Sequence, residues 1–409
     1  MCPARATAPL VVVGASLAGL RAVEGARKSG YTGPITLIGA EKHLPYDRPP
    51  LSKAFLDNAE PEETHFRTEQ MLAGELGVEL VLGAPATRLG TERRVVEVGD
   101  SEYPYRALVI ATGATARSFP GTEGLSGVHT LRTLDDARAV RSALDAGART
   151  VVVGAGFIGS EVASAARKRG LDVTIVEAFP VPLVRAVGER MGPACSSLHT
   201  RNGVELRCGV GVSAIDGQGS VERVRLADGT VLDADLVVIG IGATPATDWL
   251  AGSGVRVDNG VICDEYLRTS VPDVYAAGDV ARWRNSLFGR EMRLEHWTSA
   301  AEQGAIAARN ALGEHPLSAY TTVPYFWSDW YDSRIQFVGV PDEGEVRVVC
   351  GDVNDGRFVA LYRSGERLAG VLTMNEPREI MKYRRLIAER ASWSAALEFA
   401  ATRARVAVS

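Results

Sequence analysis

The amino-acid sequence predicts an α/β fold with two parallel sheets, because one succession of strand, glycine turn, helix and second strand occurs twice along 409 residues. In each copy the strands are short runs of Val, Ile and Leu, which are typical of strands buried on both faces of a parallel sheet. The copies begin near residues 10 and 151, so they are about one domain apart. A duplicated α/β unit with a smaller third domain after it is the predicted architecture.

Composition and charge limit the classes of function. With 46% hydrophobic and 23% charged residues, the composition is that of a globular protein. The net charge of −5 argues against nucleic-acid binding, which normally requires a basic balance. The first nine residues contain no apolar segment, and no apolar run approaches the roughly 20 residues of a membrane span. We therefore expect a cytoplasmic protein without a secretory signal.

The five cysteines are scattered, and no two of them form a CxxC or any other close pair. They are Cys2, Cys195, Cys208, Cys263 and Cys350. Zinc sites, iron–sulfur clusters and redox-active thiol pairs all need clustered thiols. The spacing therefore predicts isolated thiols and no metal site.

The second copy carries the more complete glycine motif, in which a strand at 151–153 leads into Gly154-Ala155-Gly156-Phe157-Ile158-Gly159. In this GxGxxG pattern, the first glycine permits a tight turn and the second allows a close approach of backbone to pyrophosphate. The pyrophosphate then meets the N–H groups at a helix N-terminus. Glu177, at the end of the next strand, is placed to accept hydrogen bonds from a ribose diol and to repel a 2′-phosphate. The motif therefore predicts NAD rather than NADP.

The first copy departs from this pattern at one position. Its motif is Gly14-Ala15-Ser16-Leu17-Ala18-Gly19, in which Ser16 replaces the second glycine. A serine Cβ would hold a ligand slightly farther from the backbone, although its hydroxyl would suit a phosphate. A nucleotide-free copy of the fold is the alternative for this segment. Glu41, after the second strand, favours nucleotide binding because a buried strand end has no packing use for a carboxylate.

Three further segments narrow the prediction. A strand near 108–110 leads into Ala111, Thr112 and Gly113, and the segment 269–279 is a strand that ends in Gly278 and Asp279. A stiff, proline-rich loop with two cations spans residues 45–53. With these motifs, the chain resembles the FAD-dependent pyridine nucleotide reductases and, within them, the oxygenase-coupled NADH-dependent ferredoxin reductases. The segments 295–304 and 324–329 match this oxygenase-coupled branch.

The resemblance implies a glutathione-reductase-like fold, with FAD and NAD(H) on separate Rossmann-like domains. The implied domains are an FAD domain at 1–112 and 243–317, an NAD domain at 113–242, and a smaller C-terminal α/β interface domain at 318–409 with strands near 334–340, 345–349, 358–363 and 367–372. Implied FAD contacts are Gly14, Ser16, Leu17, Ala18, Glu41, Arg48, Lys53, Ala111, Thr112, Gly113, Arg117, Gly278, Asp279, Val280 at a helix N-terminus, and Trp297. Implied NAD contacts are Gly154, Gly156, Phe157, Ile158, Gly159, Glu161, Glu177, Arg185 at the adenine end, and Gly242.

Lys53 and Glu161 are the predicted catalytic residues, because the matching residues of relatives lie together near the reacting rings. An ion pair would orient both side chains and leave a cation to stabilise an anionic reduced flavin. The alternative for Glu161 is a carboxylate in the first turn of a helix that only complements the helix dipole.

The electron acceptor is predicted from an absence of cysteine. Disulfide reductases and related oxidases carry cysteine just after the first unit, whereas residues 47–56 contain none. The flavin is then expected to reduce an external one-electron carrier, for which a [2Fe–2S] ferredoxin serving a cytochrome P450 or Rieske oxygenase is the natural candidate. A rubredoxin or another small acceptor is the alternative within the enzyme class. An apoptosis-inducing-factor-like flavoprotein that acts through partner binding is the alternative outside it.

A basic segment near the C-terminus is the predicted docking surface for an acidic ferredoxin. Residues 378–390 contain five cations and two acids, and Arg378, Lys382 and Arg385 are spaced to share one helical face. The alternative is that these charges only form a solvent-exposed helix face and bind no partner. Binding would be transient and electrostatic, and the protein itself a monomer or weak homodimer. Trp297 and Trp327 are expected at the flavin edge or in the core, and Trp330 is expected to adjust partner choice.

Overall fold

The computed structural model describes residues 9–60, 63–313, 316–342 and 344–406. Cys2 and the rest of the segment before Pro9 lie outside these ranges. The chain forms two compact units. The first contains the chain up to Asp47 together with Glu63–Thr115 and Thr244–Thr322, and the second contains Arg48–Glu62, Ala116–Ala243 and the chain from Val323 onward. Which predicted domain binds which nucleotide stays a prediction.

The strands are numbered in chain order. They are β1 (Leu10–Val13), β2 (Ile35–Gly39), β3 (Val78–Leu82), β4 (Arg88–Gly90), β5 (Val95–Val98), β6 (Ser101–Pro104), β7 (Ala107–Ile110), β8 (Ala114–Ala116), β9 (Val128–His129), β10 (Thr150–Val153), β11 (Val173–Glu177), β12 (Glu205–Cys208), β13 (Val212–Gln218), β14 (Ser220–Leu226), β15 (Val231–Asp233), β16 (Leu236–Ile239), β17 (Ala243–Pro245), β18 (Val261–Cys263), β19 (Val274–Ala276), β20 (Ala281–Asn285), β21 (Arg290–Arg293), β22 (Tyr325–Trp330), β23 (Ser333–Gly339), β24 (Val346–Asp352), β25 (Arg357–Ser364) and β26 (Arg367–Met374).

The helices are numbered in the same way. They are α1 (Leu17–Lys28), α2 (Ala54–Asp57), α3 (Leu134–Asp145), α4 (Phe157–Lys168), α5 (Val184–Arg201), α6 (Trp297–Leu312), α7 (Ile380–Ala388) and α8 (Trp393–Val406). Short 3-10 turns occupy Pro49–Ser52, Asp248–Leu250 and Gly278–Val280, and a π-helical turn occupies Gln70–Glu75. In the described ranges, no helix is both long and apolar enough to cross a bilayer.

The first unit is built on a five-stranded parallel sheet in the order β19-β7-β1-β2-β3. All four residues of β1 and of β7 are buried, as expected for central strands that are covered on both faces. The unit also contains two three-stranded sheets, β18-β20-β21 and β4-β5-β6. The carboxyl ends of β1, β7 and β19 therefore lie side by side at one edge of the large sheet.

The second unit repeats this arrangement in a five-stranded parallel sheet of order β12-β11-β10-β16-β9. A three-stranded antiparallel sheet, β13-β14-β15, comes after β12. The predicted α/β class with two parallel sheets is thus confirmed. The central strands were predictable because they are short and almost wholly apolar.

The C-terminal part of the second unit is an antiparallel sheet of order β22-β23-β26-β25-β24. The four strands predicted there exist, with ends shifted by a few residues, and β22 was not predicted as a strand. One face of the sheet packs on α5, whose Val187, Met191 and Cys195 form a core with Phe337 and Phe358. This packing fixes β22 against the remainder of its unit.

The third glycine of the GxGxxG motif, Gly159, is required by packing within the second unit. A Cβ on Gly159 would lie 2.4 Å from the carbonyl oxygen of Gly154 and 2.8 Å from Val152 Cγ1. A Cβ on Gly156 would meet nothing closer than 3.8 Å. Packing of the helix on the strand therefore requires a glycine at position 159 but not at position 156.

We expect Gly159→Ala to lower the free energy of unfolding by about 1–3 kcal/mol, since helix and strand must separate to admit the methyl group. The change is measured by urea denaturation monitored by circular dichroism. Gly156→Ala is the matched control and should change stability by no more than ~0.5 kcal/mol. Equal losses in both variants would contradict the packing explanation.

Candidate functional site

The first glycine loop is fixed at the carboxyl edge of the large sheet by strand-like hydrogen bonds. The Gly14 N–H donates to Ile38 O over 2.7 Å, the Ala111 N–H donates to Val13 O over 2.7 Å, and the Ala277 N–H continues the series to Ile110 O over 2.9 Å. Gly14 has φ of +119°, and a Cβ there would lie 2.0 Å from Ala111 O. Only glycine allows the backbone to turn this close to the neighbouring strand.

Ser16 precedes α1 in an extended conformation (φ −114°, ψ −160°), and its side chain does not cap the helix. Gly156 precedes α4 in a similar conformation (φ −79°, ψ 179°). The serine is therefore accommodated without backbone strain. The side chains of Leu17 and Ala18 are buried. If these residues bind a phosphate as predicted, they therefore do so through their backbone N–H groups at the start of the helix.

Glu41 and Tyr46 form a pair beside this edge of the first unit. The Tyr46 hydroxyl donates a hydrogen bond to Glu41 Oε2. Tyr46 is buried, and the rings of His43 and His65 pack edge-on against it. Tyr46 thereby fixes the carboxylate that was predicted to hold a ribose.

Gly278 brings a turn of the chain to the start of α1. It has φ of +79°, and a Cβ there would lie 3.0 Å from Ala18 Cβ. Its N–H donates to Oε1 of the buried Gln303 over 2.8 Å. Asp279 is thus held beside the first glycine loop, as a residue that contacts a bound nucleotide would need to be.

The prediction of a helix that begins at Val280 is wrong. Gly278–Val280 forms a single 3-10 turn, and β20 begins immediately after it. The segment forms a strand rather than a helix because the strand buries Trp283 completely and because β20 pairs with both β18 and β21. The local pattern of glycine, acid and apolar residue does not reveal this.

The other predicted FAD contacts fall into two groups. Thr112 and Gly113 belong to the first unit, where both bond to the backbone of Ala246, and Trp297 donates its indole N–H to Asp47 Oδ1 over 2.7 Å. Arg48, Lys53 and Arg117 belong to the second unit. There the Arg48 guanidinium donates to Arg132 O, and the Arg117 N–H donates to Gly242 O over 3.0 Å.

The second glycine loop reproduces the first in detail. The Gly154 N–H donates to Val176 O over 2.8 Å, and the Gly240 N–H donates to Val153 O over 2.7 Å. A Cβ on Gly154 would lie 2.4 Å from Gly240 O. Gly156, in contrast, has room for a Cβ, so no contact within the chain explains why this residue is a glycine. This open cradle, which a Cβ would enter, fits the close approach of a pyrophosphate.

Glu177 is tied to the second loop by its carboxylate. Oε2 accepts a hydrogen bond from the Ala155 N–H and Oε1 accepts one from the Phe179 N–H, both over 2.9 Å. A carboxylate has about four acceptor sites, so two remain for a diol. The predicted position of Glu177, at the end of the second strand and beside the loop, agrees with the structure.

Exposed apolar side chains surround this loop. Ile158 at the start of α4 is 42% exposed, Ile241 after β16 is 37% exposed and Phe179 is 57% exposed. The Arg185 guanidinium lies over the Phe179 ring, 5.9 Å from its centroid. Phe179 and Ile241 were not predicted, although each is a large apolar residue within two positions of a strand-end acid or glycine, which is a usable signal.

Glu161 is buried among three hydrogen-bond donors within the second unit. Lys53 Nζ lies 2.7 Å from Glu161 Oε1, and Ser328 Oγ donates to the same oxygen. Ser52 Oγ donates to Oε2. Glu161 is 3% exposed and Lys53 is 17% exposed. The pair expected from the resemblance is present, and its catalytic role stays a prediction.

The placement of Glu161 in the first turn of its helix is wrong. Because α4 begins at Phe157, Glu161 is the fifth helical residue, and the first turn contains no acid. An interaction with the helix dipole is confined to the terminal turn, so it does not account for this carboxylate. Ser52 and Ser328 were missed as its partners, since both lie far from it in sequence.

The cysteines in the described part of the chain are free thiols. Burial raises the pKa of Cys195 to about 12 and also raises the pKa values of Cys208, Cys263 and Cys350. All four are therefore protonated at neutral pH and are poor nucleophiles. Nor do the described His, Cys, Asp and Glu side chains form any group of three that could hold a metal ion.

The basic C-terminal segment is only partly helical. Arg378 lies in a turn that the Glu379 N–H closes on Glu376 O, and α7 begins at Ile380. The expected shared helical face is therefore wrong for Arg378. Lys382 pairs with Glu379 over 2.8 Å and Arg385 pairs with Glu389 over 2.7 Å, which reduces the local excess of positive charge.

The tryptophans and His296 differ from one another in surroundings. Trp327 is partly buried and stacks on Tyr325 at 5.7 Å. Trp330 is 1% exposed, so its side chain is not available for direct contact with a partner, and the expectation that it adjusts partner choice stays a prediction. His296 immediately precedes α6, and burial lowers its pKa to about 4, which leaves it neutral at pH 7.

Comparisons with known proteins agree with this geometry. Residues 8–304 match the family model of the pyridine nucleotide-disulphide oxidoreductases, and residues 325–403 match the reductase C-terminal model. The rhodocoxin reductase of Rhodococcus erythropolis is 38% identical over 93% of this chain and 89% of its own length. The ferredoxin–NAD(+) reductase component of the anthranilate 1,2-dioxygenase system of Burkholderia cepacia is 38% identical, over 93% of this chain and 94% of its own.

Among solved structures, putidaredoxin reductase in its covalent complex with putidaredoxin matches with a TM-score of 0.90 and 33% identity, over 97% of this chain and 99% of that one. The glutathione-reductase-like fold class is thereby confirmed. The chain belongs to the pyridine nucleotide-disulphide oxidoreductase family, and the predicted resemblance to its ferredoxin reductases is confirmed.

Proposed function

We propose that the chain is an FAD-dependent NADH:ferredoxin reductase that supplies a cytochrome P450 or Rieske oxygenase through a [2Fe–2S] ferredoxin. The carrying observation is the pair of near-identical glycine loops, each at the carboxyl edge of a parallel sheet and each with an acid after the next strand. The four described cysteines support the proposal, because they are free, protonated thiols and no two of them are close in sequence. The similarity to the ferredoxin–NAD(+) reductase component of the anthranilate 1,2-dioxygenase system supports it as well.

The residues of the first unit fit FAD. The loop from Gly14 to Ala18 presents helix N–H groups to a pyrophosphate, and Glu41, fixed by Tyr46, is suited to a ribose diol. Asp279, held by the turn at Gly278, would accept hydrogen bonds from hydroxyl groups of the cofactor. Held by these residues, FAD would supply the chemistry that converts a two-electron donor, NADH, into a source of single electrons.

The residues of the second unit fit NADH. Gly156 leaves room for the pyrophosphate, and the free acceptor sites of Glu177 suit the adenosine ribose. Arg185 and Phe179 present a flat cation–aromatic surface to the adenine end. Gly242 and the exposed Ile241 border the same strand edge.

Lys53 and Glu161 orient the reacting groups in this proposal. Glu161 is held by Ser52 and Ser328, and it fixes the ammonium group of Lys53. The role of Lys53 is to offer a preorganised positive charge where negative charge develops on reduction. No proton transfer is required of either residue for hydride transfer.

The ferredoxin is proposed to dock transiently on the C-terminal segment that contains Arg378, Lys382 and Arg385. Arg378 and Arg385 are exposed. Lys382 and Arg385 already form ion pairs within the chain. A docking ferredoxin would therefore contact Arg378 and would also replace these two ion pairs by pairs with its own carboxylates. A cytoplasmic location and a monomeric or weakly dimeric state are part of the same proposal.

The proposed function predicts a defined sequence of electron transfers. Under anaerobic conditions, NADH should bleach the flavin absorbance of the FAD-loaded protein in a stopped-flow instrument. Addition of an oxygenase-system [2Fe–2S] ferredoxin should then restore the absorbance rapidly, and this second step should slow as salt is raised, because electrostatic docking is screened.

A reduced protein that persists in the presence of ferredoxin would argue instead for the partner-binding alternative. If rubredoxin but not ferredoxin reoxidises the flavin, the proposed acceptor is wrong, while the proposed reduction of the flavin by NADH still holds. A flavin that NADH does not reduce would refute the proposal as a whole.

Glu177 should decide the choice between NADH and NADPH. A carboxylate repels the 2′-phosphate of NADPH, so NADH should reduce the flavin at least about 10-fold more efficiently, a difference of ~1.4 kcal/mol. Glu177→Gln keeps the side-chain length, removes the charge, and should narrow this ratio by lowering the KM for NADPH. Glu205→Gln, at an acid of neighbouring β12, is the matched control; an unchanged ratio in Glu177→Gln would contradict the assignment.

Lys53 should be needed for fast reduction of the flavin. Lys53→Met keeps most of the side-chain volume, removes the cation, and should lower the rate of flavin reduction by NADH about 10- to 100-fold. Rapid-scan spectroscopy at saturating NADH measures this rate. The exposed Lys28, changed to Met, serves as the control, and a rate within twofold of wild type for Lys53→Met would exclude the proposed role.

A further inference from the structure

A chain of buried polar side chains extends from Glu161 into the core of the second unit. Beyond Ser328 it contains Trp330, His199 and Tyr331, of which Trp330 is 1% exposed and His199 is completely buried. None of these three residues is assigned a role by the proposed function. Buried polar groups carry a high energetic cost unless they are satisfied, so such a chain calls for an explanation.

The donor inventory fixes the direction of the hydrogen bonds. The indole Nε1 of Trp330 is only a donor, and it donates to Ser328 Oγ over 2.7 Å. One lone pair of Ser328 is thereby used, and its proton is directed at Glu161 Oε1, which accepts it. Ser328 therefore accepts from the indole and donates to the carboxylate, so each of the three side chains has a defined partner along the chain.

His199 fixes the plane of the Trp330 indole. The two rings are stacked at 4.9 Å with 24° between their planes. His199 itself is held from both sides, by Tyr331 OH at Nδ1 over 2.8 Å and by Ser160 Oγ at Nε2 over 3.1 Å. Burial lowers the pKa of His199 to about 4, so at neutral pH the ring is uncharged and uses one nitrogen as donor and the other as acceptor.

The remaining anchor of the chain is on α4. The Tyr331 N–H donates to Ser164 Oγ over 2.6 Å, one helical turn from Ser160. The network thus joins α4, which contains Glu161, to the end of β22, which supplies Ser328 and Trp330. A shift of β22 along α4 would break several of these bonds at once.

We propose that Trp330 is a positioning residue for the NADH reaction, which acts through the Ser328 hydroxyl to hold the Glu161 carboxylate in the orientation that fixes Lys53. The proposal rests on the proposed function for the role of Lys53 and Glu161. The hydrogen bonds run from Trp330 to Ser328 and from Ser328 to Glu161, so the effect of the indole on the carboxylate must pass through that hydroxyl.

Trp330→Phe removes the N–H group together with part of the buried ring, so a double-mutant cycle is needed to separate the two effects. Without the indole donor the Ser328 hydroxyl is free to rotate, and Glu161 loses its directed partner for part of the time. We expect the limiting rate of flavin reduction at saturating NADH to fall about 3- to 10-fold, as for loss of one hydrogen bond, with little change in the NADH concentration at half-maximal rate. Trp393→Phe, at another buried tryptophan of the same unit, is the matched control and should keep the wild-type rate.

A double-mutant cycle separates positioning from simple packing. Ser328→Ala removes the hydroxyl through which Trp330 is proposed to act. If the proposal holds, adding Trp330→Phe to Ser328→Ala lowers the rate no further. If the two effects multiply, Trp330 acts independently of Ser328 and the proposal is overturned.

A readout without turnover uses the indole signals of the six tryptophans in a ¹⁵N-labelled, FAD-loaded protein. The Trp330 signal is identified by its loss in Trp330→Phe, or by elimination among the other five tryptophans if that variant does not fold. The signal should shift in Ser328→Ala and in Glu161→Gln, and it should not shift in Ser394→Ala, at an exposed serine of α8. If the Trp330 indole signal shifts in neither Ser328→Ala nor Glu161→Gln, the proposal is overturned, even if NADH reduces the wild-type flavin. If NADH fails to reduce that flavin, the proposed function fails while the indole signals still report on the chain of hydrogen bonds.

Discussion

In each glycine loop, a carbonyl oxygen at the end of a neighbouring strand occupies the space that a Cβ on the first glycine would need. Ala111 O has this position at Gly14, and Gly240 O has it at Gly154. The central strand can therefore turn into its helix within a single residue, and the helix starts against the edge of the sheet. The position of the strand-end acids, the turn at Gly278 and the open face at Gly156 all depend on this close approach of two backbones.

The sequence was sufficient to predict the elements whose information is local. The strands β1, β7 and β10 are short apolar runs with a glycine or small-residue turn after them, and such runs have few alternatives in an α/β chain. The acid Glu177 was predictable for the same reason, because its position depends only on the length of one strand. The predicted ligand of each domain stays a prediction, since it depends on the resemblance and not on any feature of these strands.

The elements that were missed or wrong depend on contacts between distant residues. Besides Lys53, Glu161 has partners at positions 52 and 328, and no local pattern relates these two serines to it. The segment after Gly278 has the local sequence of a helix start, yet burial of Trp283 between two partner strands makes it β20. The helical face expected from Arg378 was wrong because the spacing of cations does not reveal where a helix begins.

The two glycine loops differ in the exposure of the residues at the start of each helix. In the first loop the side chains of Leu17 and Ala18 are buried, and Gly278 closes against Ala18. In the second, Ile158 is exposed and Gly156 has free space beside it. In the proposed assignment the closed loop holds the molecule that stays through many catalytic cycles, and the open loop holds the one that must leave after each. Under that assignment, one duplicated scaffold would be divided into a site with slow dissociation and a site with rapid exchange.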